Sequence, residues 1–294
     1  MLKDCLVRNN VIVSGNEASG QTICFVHGLG TDQSAWRTVS EAFAKDFAIV
    51  AFDHVGATEA NRAYFMEHQS RYLSLSGYVD DFIEICSLPV LRKPAILVGH
   101  SLGAMVCLLA SLKKPEFFSR LVLIGASPCY QNKGEYLGGM EMDDINAVYR
   151  AIHDDYAGWA RTFAPLVMGN PEHPQLAQHF HASIASIPRE MMLTVLCSIL
   201  QQDFRESIKR VAMPTLIIQS RNDLFVPHAV AGYLHRHIVG SQLAEIEASG
   251  HLPHVSAPDE VIKAIRAFVP RIDGKPPRVQ ASGAAEFTAT AGNR

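Results

Sequence analysis

Residues 99–103 read Gly99-His100-Ser101-Leu102-Gly103, a serine set between two glycines. A serine hydroxyl is a weak nucleophile until a base removes its proton. Chemistry at Ser101 therefore requires a histidine within hydrogen-bond reach and a carboxylate that fixes the tautomer of that histidine. The pattern alone would arise by chance about 0.1 times in a chain of this length at ordinary glycine and serine frequencies. Its surroundings say more. A strand-like run, 95–98, precedes it and a helical run, Leu102–Lys113, follows it. That is the strand–turn–helix that lifts a nucleophile to the open end of a sheet. So sharp a turn leaves no room for side chains two residues either side of the serine, and Gly99 and Gly103 present none.

Thirteen histidines compete for the role of base. His251 is favoured because Ser249-Gly250-His251 falls in a loop between the last strand-like run and the last helical one, at the sheet edge where Ser101 projects. Asp223 follows the strand-like run 215–219 in the same way, with Asp203, Asp80 and Asp81 as the alternative acids. The chain order Ser101, Asp223, His251 is that of α/β-hydrolases. A carbonyl attacked by serine develops negative charge on oxygen, and preorganised N–H groups must meet it. His27-Gly28-Leu29-Gly30, directly after the strand 22–26, offers the N–H of Leu29, and the turn after Ser101 offers that of Leu102.

Other polar residues carry weaker signals. Asp53 ends a strand-like run and is expected to organise its own loop. His100 and His254 adjoin the catalytic candidates and are read as packing or supporting groups. His179 and His181 are two apart in a helical segment, a poor spacing for shared metal ligation, and no metal is expected. The six cysteines, Cys5, Cys24, Cys86, Cys107, Cys129 and Cys197, never form C-x-x-C and mostly sit in apolar runs. They read as small buried hydrophobes rather than a zinc site or a disulfide framework. Neither G-x-G-x-x-G nor G-K-[ST] is present, so no nucleotide and no other cofactor is expected.

The elements that must position these residues alternate along the chain. Strand-like runs at 22–26, 47–52, 95–98, 121–124, 215–219 and 242–246 are separated by helical patterns at 33–45, 75–88, 102–113, 227–237 and 258–269. The runs 5–8 and 11–14 flank Asn9-Asn10 and read as an edge hairpin. This rhythm predicts an α/β fold, a mostly parallel central sheet with helices on both faces. It fails between about 127 and 210, where only helical patterns occur, at 142–152, 154–163, 174–187 and 190–203. The expected organisation is a core of 1–126 and 211–271, an inserted helical cap of 127–210 over one end of the sheet, and a disordered tail of 272–294, which is rich in Gly, Pro, Ala, Ser and Thr.

Composition narrows the function classes. The 294 residues carry 26 Lys and Arg against 29 Asp and Glu, a net charge of −3, which argues against a nucleic-acid module. With 48% hydrophobic residues the chain can build a large core. No apolar run approaches the ~20 residues of a membrane span, and the amino terminus lacks the apolar stretch of a signal peptide. A soluble, cytoplasmic protein without membrane contact is expected.

Several segments, in order, are similar to the RsbQ subgroup of α/β-hydrolases, which includes plant strigolactone and karrikin receptors. They are 27–36 (HGLGTDQSAW), 99–104 (GHSLGA), Ser127-Pro128-Cys129-Tyr130, Tyr136-x-Gly138-Gly139, Gly158-Trp159-Ala160 and 250–258 (GHLPHVSAP). The resemblance covers approximately residues 3–270. It implies a four-helix, V-shaped cap over an apolar pocket with the triad at its floor. It also implies a pocket lined by Leu29, Tyr130, Trp159, Phe163 and Leu200, with Val226 near the acid. Two departures stand out. Leu29 occupies a position where an aromatic is frequent, and residues 53–60 (DHVGATEA) lack the usual second glycine and serine. Two functions follow as expectations. One is a cofactor-independent serine hydrolase of a small apolar ester or lactone. The other is a signalling protein that binds or slowly hydrolyses a hydrophobic small molecule and then engages a regulatory partner such as a PAS-containing phosphatase. A dehalogenase or epoxide hydrolase would need an aspartate where Ser101 stands. Carbon–carbon bond hydrolysis and perhydrolysis use the same triad and stay open.

Overall fold

The computed structural model describes residues 4–269, so the expected tail, 272–294, lies outside the described residues. Seven strands form one sheet: β1 (Ile12–Gly15), β2 (Thr22–Val26), β3 (Ala48–Ala51), β4 (Ala95–His100), β5 (Phe118–Ile124), β6 (Thr215–Asn222) and β7 (Gln242–Ser249), in the order β1-β3-β2-β4-β5-β6-β7. Only β1 runs antiparallel, paired to β3 with Ile12 opposite Ala51. Side chains of the inner strands alternate between two cores. Ile23, Phe25, Ile96 and Val98 face one side with Trp36, Val39 and Phe43, while Cys24, Val26 and Leu97 face the other with Phe82, Val106 and Cys107. Burial on both faces is what helices packed on both sides of a parallel sheet require.

The helices are α1 (Asp4–Arg8), α2 (Arg37–Phe43), α3 (Glu59–Glu67), α4 (Leu75–Cys86), α5 (Leu102–Lys113), α6 (Met142–Asp154), α7 (Tyr156–Met168), α8 (Pro174–Ser186), α9 (Arg189–Leu200), α10 (Arg205–Ile208), α11 (His228–His237), α12 (Pro253–Ser256) and α13 (Pro258–Phe268). Helices α6 to α9 lie between β5 and β6, in the stretch read as an insertion. The chain turns by 105° between α8 and α9. Among the described residues no single helix is long and apolar enough to cross a membrane.

One reading of local structure is corrected. Residues 5–8 are helical, not half of a hairpin. The Val11 N–H donates to the Leu6 carbonyl (3.0 Å) and the Asn10 N–H to that of Val7 (3.2 Å), with Asn10 at φ 45°. That is a helix-ending motif, and Asn at its left-handed position resembles the Asn of a hairpin turn in sequence alone. Helix α3 is an element that the sequence patterns above do not include, and it begins within the unusual stretch 53–60. Asn61 closes that loop by accepting from the Gly56 N–H (2.9 Å) and donating to the His54 carbonyl (3.0 Å).

Asp53 does organise its surroundings. Its carboxylate accepts from the Gln33 N–H (3.0 Å) and from Asn10 Nδ2 (2.9 Å), and its backbone N–H donates to the Asn9 carbonyl (2.7 Å). The amino-terminal helix, the end of β3 and the loop after β2 are thereby pinned together.

Candidate active site

The β4 strand runs through Gly99 and His100 and ends at Ser101, which adopts φ 51°, ψ −115° and caps α5. A non-glycine residue at positive φ stores strain that its surroundings must hold. Here the Ser101 N–H donates to the Ile124 carbonyl of β5 at 2.9 Å. The flanking glycines are required by contact. A Cβ at Gly99 would stand 2.5 Å from the Gly103 carbonyl oxygen, and one at Gly103 2.3 Å from that of Val26.

Ser101, His251 and Asp223 converge from three strand ends. His251 Nε2 lies 2.9 Å from Ser101 Oγ and its Nδ1 lies 2.8 Å from Asp223 Oδ2. With a carboxylate on Nδ1 the ring proton resides there, leaving the Nε2 lone pair to accept from the serine. Asp223 Oδ1 accepts from the N–H groups of Phe225 (2.8 Å) and Val226 (3.0 Å). Burial would raise the Asp223 carboxyl, but the facing His251 and these donors outweigh it and hold the group below the usual carboxylate range. The alternative acids are engaged elsewhere: Asp203 with Lys133 and Arg205, Asp80 with Lys113, and Asp81 with Arg71, Arg8 and Tyr72.

Leu29 borders the space above Ser101, and Leu102 is the first residue of α5, where leading N–H groups have no partner within the helix. The loop carrying Leu29 is fastened by two histidines, His27 and His54, whose rings meet at a tilt, 4.5 Å between centroids. The His54 N–H donates to His27 Nε2 (2.9 Å), and His54 Nε2 donates to the His27 carbonyl (3.0 Å). Burial lowers both imidazoles, keeping them neutral for this exchange.

Over Ser101 lies a cavity of about 30 Å³. Of the expected wall residues it is bordered by Leu29, Tyr130, Trp159 and Phe163. Leu200 and Val226 are not on its wall. In α9 the cavity-facing positions are Met192, Leu196 and Ile199, and one further residue rotates Leu200 by about 100°, into the core. Val226 is beside the acid but fully buried, and Phe225 reaches the cavity instead. Phe180 and Ile184 of α8 and Val167 of α7 complete the apolar wall. Their i, i+4 spacing, repeated in Trp159, Phe163 and Val167, was the available sequence signal.

Behind the base, His100 Nε2 donates to the His251 carbonyl at 2.7 Å. The His100 ring packs on His254 (4.4 Å between centroids), which packs on Trp36 (4.3 Å). Burial drives the His100 pKa well down and that of His254 to about 3, so both are neutral. His179 and His181 lie on α8, and among the described residues no group of three or more His, Cys, Asp or Glu side chains is arranged to hold a metal.

A sequence profile described as "Alpha/beta hydrolase family" matches residues 25–264. The chain is 38% identical over 258 residues to karrikin insensitive 2 receptor CA of Petunia hybrida, covering 87% of this chain and 94% of that protein. It is 37% identical over 264 residues to strigolactone esterase D14 of Arabidopsis thaliana, covering 89% and 96%. Among solved structures, a hydrolase from Oleispira antarctica superposes with a TM-score of 0.86 at 29% identity, over 93% of this chain and 98% of that one.

Proposed function

We propose, from the premise that this chain belongs to the alpha/beta hydrolase family, that it is a cofactor-independent serine hydrolase of small, mostly apolar esters or lactones. The observation that carries this reading is the continuous hydrogen-bond chain from Ser101 through His251 to Asp223 beneath an apolar cavity. In the first half-reaction Ser101 Oγ passes its proton to His251 Nε2 and bonds to the substrate carbonyl carbon. The carbonyl oxygen takes the electron pair and is met by the N–H groups of Leu29 and Leu102. Collapse breaks the ester bond, and the leaving alcohol oxygen receives the proton from His251. Water then gives its proton to His251, attacks the acyl-serine, and the acid departs as Ser101 regains its hydrogen. Asp223 holds the ring orientation and stabilises the imidazolium. Ester and water thus become acid and alcohol with no other reagent.

Relatives support the substrate class through their names: strigolactone esterase, and a pimeloyl-[acyl-carrier protein] methyl ester esterase of Aliivibrio fischeri at 25% identity. The test is covalent labelling by a fluorophosphonate together with turnover of 4-nitrophenyl acetate. Wild type is expected to do both and Ser101→Ala neither; equal behaviour of the two proteins sinks the reading.

A second reading is favoured by the 38% identity to a protein named as a receptor. In it the same site binds or slowly turns over its ligand in the cytoplasm, and the cap segment, 127–210, set on a core of 1–126 and 211–271, engages a regulatory protein such as a PAS-containing phosphatase. Ligand-dependent capture of that partner by wild type but not by Ser101→Ala is the outcome expected of it.

A further inference from the structure

We propose that a second cleft, separated from Ser101 by Phe180, is the subsite for the alcohol portion of the ester, and that it takes an uncharged chain bearing hydroxyl or ether oxygens. This rests on the hydrolase reading above and names its substrate more closely.

Volume is the first argument. The cavity over Ser101, about 30 Å³, is the tighter of the two, whereas an ester needs space on both sides of its carbonyl. The neighbouring cleft measures about 200 Å³. Thr31, Asp32, Ser34 and Thr38 line its core side, and His179 and Ser183 its cap side. Gly30, Phe180 and Leu252 border both spaces. The Phe180 ring lies directly on the loop after β2: a Cβ at Gly30 would be 3.0 Å from Phe180 Cε2. Phe180 thus stands in the partition together with Gly30 and Leu252.

Polarity is the second. His254 borders this cleft and not the catalytic cavity, is 1% exposed, and has no hydrogen-bond partner on either ring nitrogen. The Nε1 of Trp36, packed against it, is likewise without one. Buried polar groups are almost always bonded, and a neutral imidazole presents one donor and one acceptor. With this imidazole behind them, the hydroxyls of Thr31, Ser34, Thr38 and Ser183 on the wall match hydroxyl or ether oxygens of a ligand. Asp32 is the one carboxylate on the wall and no Lys or Arg joins it, which disfavours an anionic chain.

Orientation is the third. His251 returns its proton to the leaving oxygen, so the alcohol lies on the His251 side of the carbonyl. Leu252, His254 and Val255, which follow His251 in the chain, line the cleft.

The test compares two acetates whose alcohol chains have equal length, 2-(2-hydroxyethoxy)ethyl acetate and hexyl acetate, by the ratio of their kcat/KM values. In His254→Phe, which keeps the ring shape but removes both nitrogens, and in Ser183→Leu, the ratio is expected to fall about tenfold relative to wild type. Ser183 is only half-buried, so its variant keeps the test open if His254→Phe does not fold. A ratio unchanged in the folded variants, with Ser101-dependent hydrolysis of hexyl acetate intact, overturns the subsite alone. Hexyl acetate hydrolysed equally by wild type and Ser101→Ala overturns the hydrolase reading, and the subsite falls with it.

Discussion

The backbone N–H of His251 donates to the carbonyl of Val167, 2.8 Å away, so the candidate base hangs from the last turn of α7 as well as from its own strand. Asn170 reinforces the junction by donating from Nδ2 to the Ser249 carbonyl at 2.9 Å and to that of Met168. Gly250 makes the approach possible, because a Cβ there would overlap the Met168 carbonyl. The end of α7 and the candidate base are therefore one mechanical unit.

Removing the Asn170 clamp should loosen that unit without touching the triad. For Asn170→Ala we expect a stability loss of about 1 kcal/mol, from the lost hydrogen bonds. A fall in kcat larger than any change in KM should accompany it. Urea unfolding and steady-state kinetics on a short ester check both, and an unchanged kcat would show that the base is held by its own loop alone.

Substituting the acid tests the tautomer argument. Asp223→Asn keeps the shape but presents an amide to His251 Nδ1, and kcat/KM should drop by about three to four orders of magnitude. Fluorophosphonate labelling should slow in parallel. A loss below tenfold would mean that another carboxylate orients the ring.

At the nucleophile turn the expectation is structural. Gly103→Ala sets a methyl group 2.3 Å from the Val26 carbonyl oxygen, a backbone atom at the centre of the sheet that cannot swing aside. Destabilisation of about 3 kcal/mol or more, or insoluble expression, is expected. Thermal unfolding that matches wild type would contradict the geometry.

Acid should unfold the protein in a particular window. His27, His54, His100 and His254 are held by burial below the ordinary value of 6.5. Below about pH 6.5 the unfolded chain therefore binds protons that the folded chain refuses. Their neutrality favours folding fully above that value, and the benefit is lost as pH falls, by roughly 1.4 kcal/mol per pH unit for each group. The four act in the same direction, so the decline is steeper than one such group alone would give. The urea midpoint should be flat above pH 7 and fall steeply toward pH 5.5; a flat midpoint across that range rules the effect out.

The triad candidates were legible because each sits just past a strand end, and strand ends in a parallel sheet share an edge whatever lies between them. Helices α6 to α9 were legible from period alone. The wall of the cavity was only partly so: Trp159 and Phe163 were found, whereas Leu200 was named where Leu196 and Ile199 point inward, since periodicity gives a face only once the helix is docked. In the acid loop no period exists, and Phe225 could not be told from its neighbour Val226. The five residues of α1 are too few to show any period, and its ending asparagine imitates a turn. Hydrogen bonds such as Asp53 to Gln33 and Asn10 join distant segments and leave no local trace.

That last knot reaches into bench practice. Asn9 and Asn10 grip Asp53, and Asp53 grips the loop that carries Leu29. Trimming the chain to start at β1, or splicing a rigid fusion partner onto Asn9, would slacken a strut of the cavity over Ser101 from a distance. A loss of activity in such a product would be an artefact of its amino-terminal boundary, and tags are better attached ahead of Asp4.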